Sequence, residues 1–399
     1  MSGNTGVSGD TATGGDAAMG GSAAVRRAGG QVRVDAPAME RLVGAIFERG
    51  GCDAGEARRI AWRLTGANLR GHDSHGVLRT RRYLEWMEDG KVFPGRRIKV
   101  ERETEALAVV DGDYGFGQTV GEQTVDLGVE KARRHGVAVT ALKNAGHLGR
   151  IGDWAERAAE SNCASIHMVN VRGSLIVAPY AAIERRGSTS PFCAGVPRPG
   201  EPPIIHDFAT SVVAEGKAMV ALHGGKPLPG DALVDADGSY TSDPRPLYGE
   251  TPPGRTPNPH DGPGALAPFG LHKGSGLNFF MEMFGGALTG SGTAAALGDT
   301  EKRRFCNGMF SIYMQVDAFH ADDWFAREVS AYVEYWKAAR PARPGEEVLV
   351  PGEKERMTMA ERRAGGLPLS EGAWEDILEA ARKVGMRDGE MEAALGCPT

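Results

Sequence analysis

The sequence predicts an α/β protein in which a helical domain, built from both ends of the chain, adjoins a central α/β domain. Two observations support this fold class. Strand-like and helix-like patterns alternate between about residues 100 and 290, and helical periodicity dominates on both sides of that region. The 399 residues are enough for two domains with sizeable cores. We therefore expect the first part of the helical domain at 34–97, a central domain at 98–300, and a return segment with the second part of the helical domain at 301–399.

Composition and charge exclude several functional classes. The hydrophobic fraction of 41% and the charged fraction of 25% are typical of a globular protein. A net charge of −6 gives no positive field to attract nucleic acid or an anionic membrane, and no apolar run is long enough to span a bilayer. The five cysteines form no CxxC pair, which favours reduced thiols over a disulfide framework or a zinc site. We expect a cytoplasmic protein without a metal.

The first thirty residues consist mainly of Gly, Ala, Ser and Thr and offer almost nothing to bury. Such a composition cannot offset the entropy lost on ordering, so we expect residues 1–33 to form a disordered extension. The stretch also lacks the basic start and apolar core of a secretory signal.

The elements of the first helical segment follow from caps and periodicity. Asp35 precedes Pro37 and can cap a helix that ends at a glycine pair. Two more helices are predicted over residues 56–68 and 77–89.

The central domain begins where the period changes near Ile98. A glycine-bearing loop after residue 142 leads into a helix, and the proline- and glycine-rich stretch 224–270 has little periodicity, which is typical of a functional or mobile loop. That stretch ends in a glycine-rich entry to an apolar helix, and the clearest C-terminal helix lies within 320–340. The other predicted strands are 97–103, 105–112, 137–142, 164–170 and 202–208, and the other predicted helices are 117–134 and 210–224.

The segment "GHDSHGVLRTRRY" at 71–83 is rich in chemically active side chains. His75 would lie near a helix N-terminus, which lowers the pKa of an imidazole, with Arg79 and Tyr83 on roughly the same helical face. A polar turn capped by Asp73 or Ser74 explains the same residues. A metal site at this segment lacks further ligands, and a hydrolytic Ser–His pair lacks a nucleophile elbow.

Three other sites carry weaker signals. His147 lies between glycines before a helix, where backbone N–H groups can bind an anion; an ordinary strand-to-helix turn is the alternative. Asp207 ends a strand and can also belong to a helix cap, and Lys273 stands beside two glycines. No GxGxxG opens a βαβ unit and no P-loop occurs, so any nucleotide must be held by a different frame.

Taken in order, the motifs "DSHGVLR", "NAGHLGRIGDWAERAAE", "DFATSVVAEGK", "TSDP", "HKGSGLNFFMEMFGGALTG" and "VLVPGEKE" resemble the malate/L-lactate dehydrogenase family that is unrelated to Rossmann-type dehydrogenases. That family includes ureidoglycolate, sulfolactate and 2,3-diketogulonate oxidoreductases and the reductases of Δ1-piperideine-2-carboxylate. The resemblance covers residues 34–386. It implies a non-Rossmann NAD(P) domain with a mostly antiparallel sheet, a helical domain formed by both termini, and a homodimer with active sites near the subunit boundary.

The resemblance also implies roles for individual residues. His75 would face the substrate, with Ser74 beside it and Asp207 as relay partner, while Arg79 and Tyr83 would hold the substrate carboxylate. His147 is the other candidate acid/base and the one favoured for hydroxy acids. The residues expected around NAD or NADP are His147, Gly149, Asn170, Ser188, Thr189, Ser190, Asp207, Lys273, Gly274, Gly276, Gly352 and Glu353.

Departures from the family pattern leave the substrate open. The family's "GTNP" reads "STSP" at 188–191, "HFG" reads "HLG", and "TN" reads "VN". We expect hydride transfer between nicotinamide and C2 of a small 2-hydroxy or 2-oxo acid. The alternatives are a reductase of cyclic imines such as Δ1-piperideine- or pyrroline-2-carboxylate, and a catalytically inactive binding protein on the same fold.

Overall fold

The described part of the chain begins with a β-hairpin that belongs to the helical domain. The computed structural model describes residues 24–222, 227–250, 257–295, 305–320 and 322–396. Strands β1 (Val25–Ala28) and β2 (Gln31–Val34) pair antiparallel, and β13 (Leu367–Ser370) joins β2 from the other end of the chain. The prediction of disorder over 1–33 is therefore wrong for residues 24–33, because these residues form β1 and most of β2, with Val25 and Val32 buried. Residues 1–23 lie outside the described part.

Helices from both chain ends form one domain around one core, as predicted. Asp53 caps the second helix by accepting hydrogen bonds from the Gly55 and Glu56 amides. The core joins N-terminal residues such as Phe47 to C-terminal ones such as Trp374. The helices of this domain are α1 (Ala36–Arg49), α2 (Ala54–Leu69), α3 (Arg79–Glu88), α10 (Glu353–Gly365), α11 (Glu371–Lys383) and α12 (Asp388–Leu395).

A seven-stranded sheet organises the central domain, in the order β3-β4-β5-β12-β6-β7-β8. Only β4 and β5 pair in parallel among these neighbours, so the sheet is mostly antiparallel and the predicted fold class is confirmed. The strands are β3 (Lys99–Glu103), β4 (Leu107–Asp111), β5 (Val137–Ala145), β6 (Cys163–Arg172), β7 (Phe192–Arg198), β8 (Glu201–Phe208) and β12 (Cys306–Gln315).

Strand β12 lies between β5 and β6, in the middle of the sheet. The predicted boundary at residue 300 is therefore wrong, because β12 belongs to the central domain. Local periodicity identifies a strand but carries no information about its partners, and β12 reaches its partners from more than 130 residues away in sequence. Helices α4 (Gly117–His135) and α5 (Gly152–Glu160) pack on this sheet over buried Trp154 and Tyr313.

The long stretch predicted as a loop contains a small sheet of its own. Strands β9 (Leu233–Val234), β10 (Tyr240–Thr241) and β11 (Ala265–Leu266) pair antiparallel, with the short helix α7 (Arg245–Tyr248) between the last two. Arg185 holds this region because its guanidinium donates to the carbonyls of Leu247, Pro259, Gly262 and Gly264. Residues 223–226 and 251–256 lie outside the described part.

Three further helices complete the fold: α6 (Glu215–Leu222), α8 (His272–Met281), which continues as a π-helical turn (Glu282–Leu288), and α9 (Trp324–Lys337). None of the helices in the described ranges is long and apolar enough to cross a membrane. Cys52, Cys163, Cys193 and Cys306 are free and buried.

Candidate active site

Two histidines from different domains meet face to face. His75 comes from a short 3₁₀ turn (Asp73–His75) between α2 and α3, and His147 from the loop after β5. Their rings stack with centroids 5.1 Å apart and 12° between the planes. Nδ1 of His75 is 3.2 Å from Nε2 of His147, which is hydrogen-bonding distance. The fold therefore brings together the two candidate acid/base residues.

The turn that carries His75 is anchored from two sides. Asn68 of α2 donates to the Asp73 carboxylate at 2.7 Å and accepts from the Val77 amide at 2.7 Å. Arg362 of α10 binds the same carboxylate. Gly76 is required here, since a β-carbon would overlap the Asn68 side chain. Asp73 therefore fixes the turn to α2 and α10; helix α3 begins after Leu78 without a side-chain cap.

A tyrosine and a glutamine connect the histidine pair by hydrogen bonds to the protein interior. The Tyr83 hydroxyl is 2.6 Å from Nδ1 of His147, and Nε2 of Gln118 donates to the Tyr83 oxygen at 3.0 Å. Both side chains are almost completely buried. Gln118 was not identified from the sequence, because a glutamine in the first turn of a helix has no signature of its own.

Burial sets the charge state of the pair. It lowers the pKa of His75 to about 3, with the positive charge of Arg79 and the neighbouring His72 acting in the same direction. The pKa of His147 is also well below its usual value, through burial, Arg79 and His75. Burial raises the pKa of Tyr83 to about 12. At pH 7 the site therefore presents two neutral imidazoles and a neutral phenol.

Arg79 lies at the edge of this pair, where its positive charge acts on both histidines. Its Nε donates to the Ser74 carbonyl oxygen at 2.6 Å, which holds the side chain beside the His75 turn. Within the described part of the chain, no carboxylate forms an ion pair with its guanidinium. The nearby Ser74 side chain packs against Gly216 of α6. A small carboxylate would supply the missing counter-ion.

Asp207 lies at the end of β8. Its carboxylate accepts a hydrogen bond from the Gly152 amide at 2.7 Å, at the start of α5. This contact stabilises the N-terminus of α5, which is a different helix from the following one that the sequence suggested. The relay role with His75 stays a prediction.

Comparison with known proteins identifies the fold. A family model described as malate/L-lactate dehydrogenase matches residues 34–378. The chain belongs to the malate/L-lactate dehydrogenase family. Hydroxycarboxylate dehydrogenase B of Escherichia coli O157:H7 is 37% identical over 362 residues, covering 90% of this chain and 97% of that protein. Because its relatives are dehydrogenases of hydroxy acids, this member is an oxidoreductase.

Solved structures of the malate/L-lactate dehydrogenase family superpose on this chain. The structure of a putative malate/lactate dehydrogenase from E. coli has a TM-score of 0.83 at 36% identity and covers 91% of this chain and 98% of its own. Δ1-Piperideine-2-carboxylate reductase from Pseudomonas syringae pvar. tomato has a TM-score of 0.73 at 28% identity and covers 88% and 99%.

Several residues expected near the cofactor in this family are internally bonded. Asn170 donates to the Gly292 carbonyl and accepts from the Gly308 amide, and the Ser190 hydroxyl donates to Glu282. Asn170 and Ser190 are fully buried, and Ser188 is nearly so. Burial raises the pKa of Glu282, which the sequence analysis missed. Asn170, Ser188 and Ser190 therefore shape the 188–191 turn, while the half-buried Thr189 is more accessible.

A cavity of about 790 Å³ lies between β8 and the start of α10. Ile205, two residues before Asp207, and Gly352 both line it, and the positive φ of 89° at Gly352 favours glycine. Glu355 also lines it, and its polar contact with His72, whose Nε2 lies 3.7 Å from the carboxylate oxygen, lowers the pKa of the carboxyl to about 2. Nε of Arg198 is buried with no hydrogen-bond partner in the described ranges.

The remaining predicted cofactor residues are spread over three elements. Gly149 follows His147 with a φ of 72°, and Lys273, Gly274 and Gly276 form the first turn of α8, where Lys273 is exposed. Glu353 accepts from Lys337 and from the Val350 amide. In the described residues, no three His, Cys, Asp or Glu side chains are grouped to bind a metal.

Proposed function

We propose that this enzyme transfers a hydride reversibly between NAD or NADP and C2 of a small 2-hydroxy or 2-oxo acid. The observation that carries the proposal is the neutral His75–His147 pair beside Arg79, whose guanidinium forms no ion pair with a carboxylate of the described residues. A neutral imidazole accepts the proton of a substrate hydroxyl, and a guanidinium fixes a carboxylate by two parallel hydrogen bonds. The dehydrogenases among its relatives act on acids of this class.

The residues around the cavity fit a nicotinamide dinucleotide. The Glu355 carboxylate is an acceptor suited to ribose hydroxyls, and the guanidinium of Arg198, which also lines the cavity, is a donor suited to a phosphate. Gly352 lines the same cavity, and a β-carbon there would crowd Arg356 and the backbone of Ile205. When bound, the nicotinamide supplies the carbon that exchanges the hydride. The protein's own part is to orient the acid through Arg79 and to exchange its hydroxyl proton at the histidine pair.

A steady-state screen tests this proposal. Oxidation of NADH and of NADPH is measured against a panel of 2-oxo acids and cyclic imines, with thermal-shift titration of both cofactors. We expect turnover of at least one 2-oxo acid. Preference for imines would establish the alternative suggested by the similar Δ1-piperideine-2-carboxylate reductase structure. A protein that binds neither cofactor would be an inactive member on the same fold.

Replacing Arg79 by lysine tests the carboxylate contact. Lysine keeps the charge but loses the planar fork, so we expect KM for carboxylate substrates to rise by about 10-fold, while kcat falls less. Arg82→Lys is the matched control, because Arg82 is exposed on the same helix and pairs with Glu85. An unchanged KM in Arg79→Lys would mean that the carboxylate is held elsewhere.

We propose a cytoplasmic homodimer. Large apolar side chains stand exposed on two elements: Phe279, Phe280 and Leu288 at α8 and its π-helical extension, and Tyr332 and Tyr335 on α9. Exposed apolar surface of this extent is typical of subunit interfaces, and the buried free cysteines suit a reducing compartment. Size-exclusion chromatography with light scattering should give twice the mass of one chain. A single-chain mass at micromolar concentration would contradict the dimer.

A further inference from the structure

Gln118 is the last residue of a hydrogen-bonded series that runs from His75 through His147 and Tyr83. It is the second residue of α4, its Nε2 donates to the Tyr83 oxygen at 3.0 Å, and its side chain is 1% exposed. Its Oε1 is buried and has no hydrogen-bond partner among the described residues. A buried acceptor without a hydrogen-bond partner destabilises the folded protein. The amide nitrogen of Gln118 is therefore hydrogen-bonded, while its amide oxygen has no partner among the described residues.

The donor end of the amide determines where each proton in the series lies. An amide N–H can only donate, so the Tyr83 oxygen accepts and its own proton points to Nδ1 of His147, 2.6 Å away. A neutral His147 then carries its proton on Nε2 and donates it to Nδ1 of His75 at 3.2 Å. His75 in turn carries its proton on Nε2, the ring nitrogen at the open end of the series.

The unpaired Oε1 of Gln118 allows the opposite arrangement of protons along the series. After a half-turn of the Gln118 amide, Oε1 accepts the proton of Tyr83. The phenol oxygen then accepts from Nδ1–H of His147, and Nε2 of His147 accepts from Nδ1–H of His75. Nε2 of His75 now presents a lone pair. Both patterns satisfy every hydrogen bond in the series with neutral groups, and they differ in what His75 offers to a substrate.

We propose that Gln118 is a positioning residue that, through Tyr83 and His147, sets whether Nε2 of His75 offers the substrate a proton or a lone pair. The inference rests on the proposed function, since His75 is taken as the residue that meets the substrate. In oxidation, the substrate O–H bond breaks and its proton bonds to Nε2 of His75. The O–H electron pair becomes the second C–O bond, while the hydride leaves C2 for an oxidised nicotinamide. Reduction reverses each of these changes.

The charged groups around the pair define what a new charge at position 118 would do. Arg79 of α3, His72 before the turn and Arg150 after the His147 loop act against protonation of His75, and Asp153 of α5 acts for it. Arg79 also acts against protonation of His147. An ionised carboxylate at 118 would accept the Tyr83 proton permanently and would favour protonation of both histidines.

Gln118→Glu and Gln118→Met test the inference by ¹⁵N NMR of selectively labelled histidines in the protein without cofactor, at pH 8.5 to keep an introduced carboxyl ionised. The ring signals are assigned with variants lacking each histidine. We expect Nε2–H tautomers at His75 and His147 in the unsubstituted protein, Nδ1–H tautomers in Gln118→Glu, and a mixture in Gln118→Met. Gln123→Glu adds the same charge on α4, at a residue that accepts from the Ile98 amide, and should leave both tautomers unchanged.

The pH profile gives a second measurement. In Gln118→Glu, the acidic limb of kcat/KM for oxidation should move to higher pH by about one unit, because the carboxylate favours the protonated pair. Unchanged tautomers in Gln118→Glu would overturn the inference, as would a single unchanged Nε2–H tautomer in Gln118→Met if the first variant does not fold. The NMR result needs no cofactor or substrate, so a tautomer change in an enzyme without dehydrogenase activity would support this inference and overturn only the proposed function.

Discussion

Replacement of His147 by alanine should remove most turnover and leave cofactor binding largely intact. The imidazole joins Tyr83 on one side to His75 on the other, so its loss separates the proton-exchanging residue from the groups that orient it. General acid–base catalysis contributes about 10²–10⁴-fold, and we expect kcat to fall within that range. Burial and neighbouring charge keep the pKa of His147 well below neutrality, so the loss should be similar from pH 6 to pH 9.

Two measurements are needed for His147→Ala: kcat at saturating substrate and the Kd of NADH or NADPH by fluorescence. A preserved Kd shows that the protein is folded and that the loss lies in the chemical step. His135→Ala is the matched control, since His135 is an exposed residue at the end of α4 and should leave kcat unchanged. A near-normal kcat in His147→Ala would assign the proton transfer to His75 alone or contradict the mechanism.

The parts of the fold that local sequence determines were predicted closely. The helix predicted over 117–134 spans Gly117–His135, and the strand predicted over 202–208 spans Glu201–Phe208, because periodicity and glycine boundaries act within a few residues. Pairing between distant strands is not encoded locally. The position of β12 and the attachment of β13 to β2 therefore had to come from the structure.

The same limit applies to the candidate site: residues close in sequence were predicted to lie together, and partners distant in sequence were not. His75, Arg79 and Tyr83 occur within nine residues, so helical spacing placed them together, and the structure adds His147 to that group. Gln118 forms a buried hydrogen bond to Tyr83, and Glu282 accepts buried hydrogen bonds from Ser190, Asn170 and the Ala294 amide. A buried polar side chain is recognisable only when its partners are known, which explains why both were missed.

The glycines in "GDYGFGQTVG" have a structural role, although they do not bind a dinucleotide as a fingerprint motif would. Their spacing excludes a dinucleotide-binding fingerprint. In the structure they lie beneath the His147 loop: the Gly146 amide donates to the Gly115 carbonyl at 2.8 Å, and Gly117 packs against the carbonyl group of His147. The glycines are needed because two backbone segments touch without side chains between them.

Gly117→Ala should therefore lower both stability and activity. Its β-carbon would overlap the carbonyl oxygen and carbon of His147 and crowd Cα of Leu148; all of these are backbone atoms that cannot turn away. We expect a loss of about 1–3 kcal/mol in the free energy of unfolding, measured in urea, since overpacking of a close contact has this cost. A displacement of His147 by about 1 Å should lower kcat by about 100-fold.

Gly372→Ala is the matched control, because it shows what a glycine-to-alanine substitution does where the β-carbon meets no other atom. Gly372 is near the start of α11, and a β-carbon there would contact nothing, so stability should stay the same or rise by a few tenths of a kcal/mol, with kcat unchanged. If Gly117→Ala keeps normal kcat despite lower stability, the position of His147 tolerates movement of its loop. Catalysis would then not require the stacked contact between His75 and His147 to be fixed. That result would contradict the assignment of the two histidines as residues that act together.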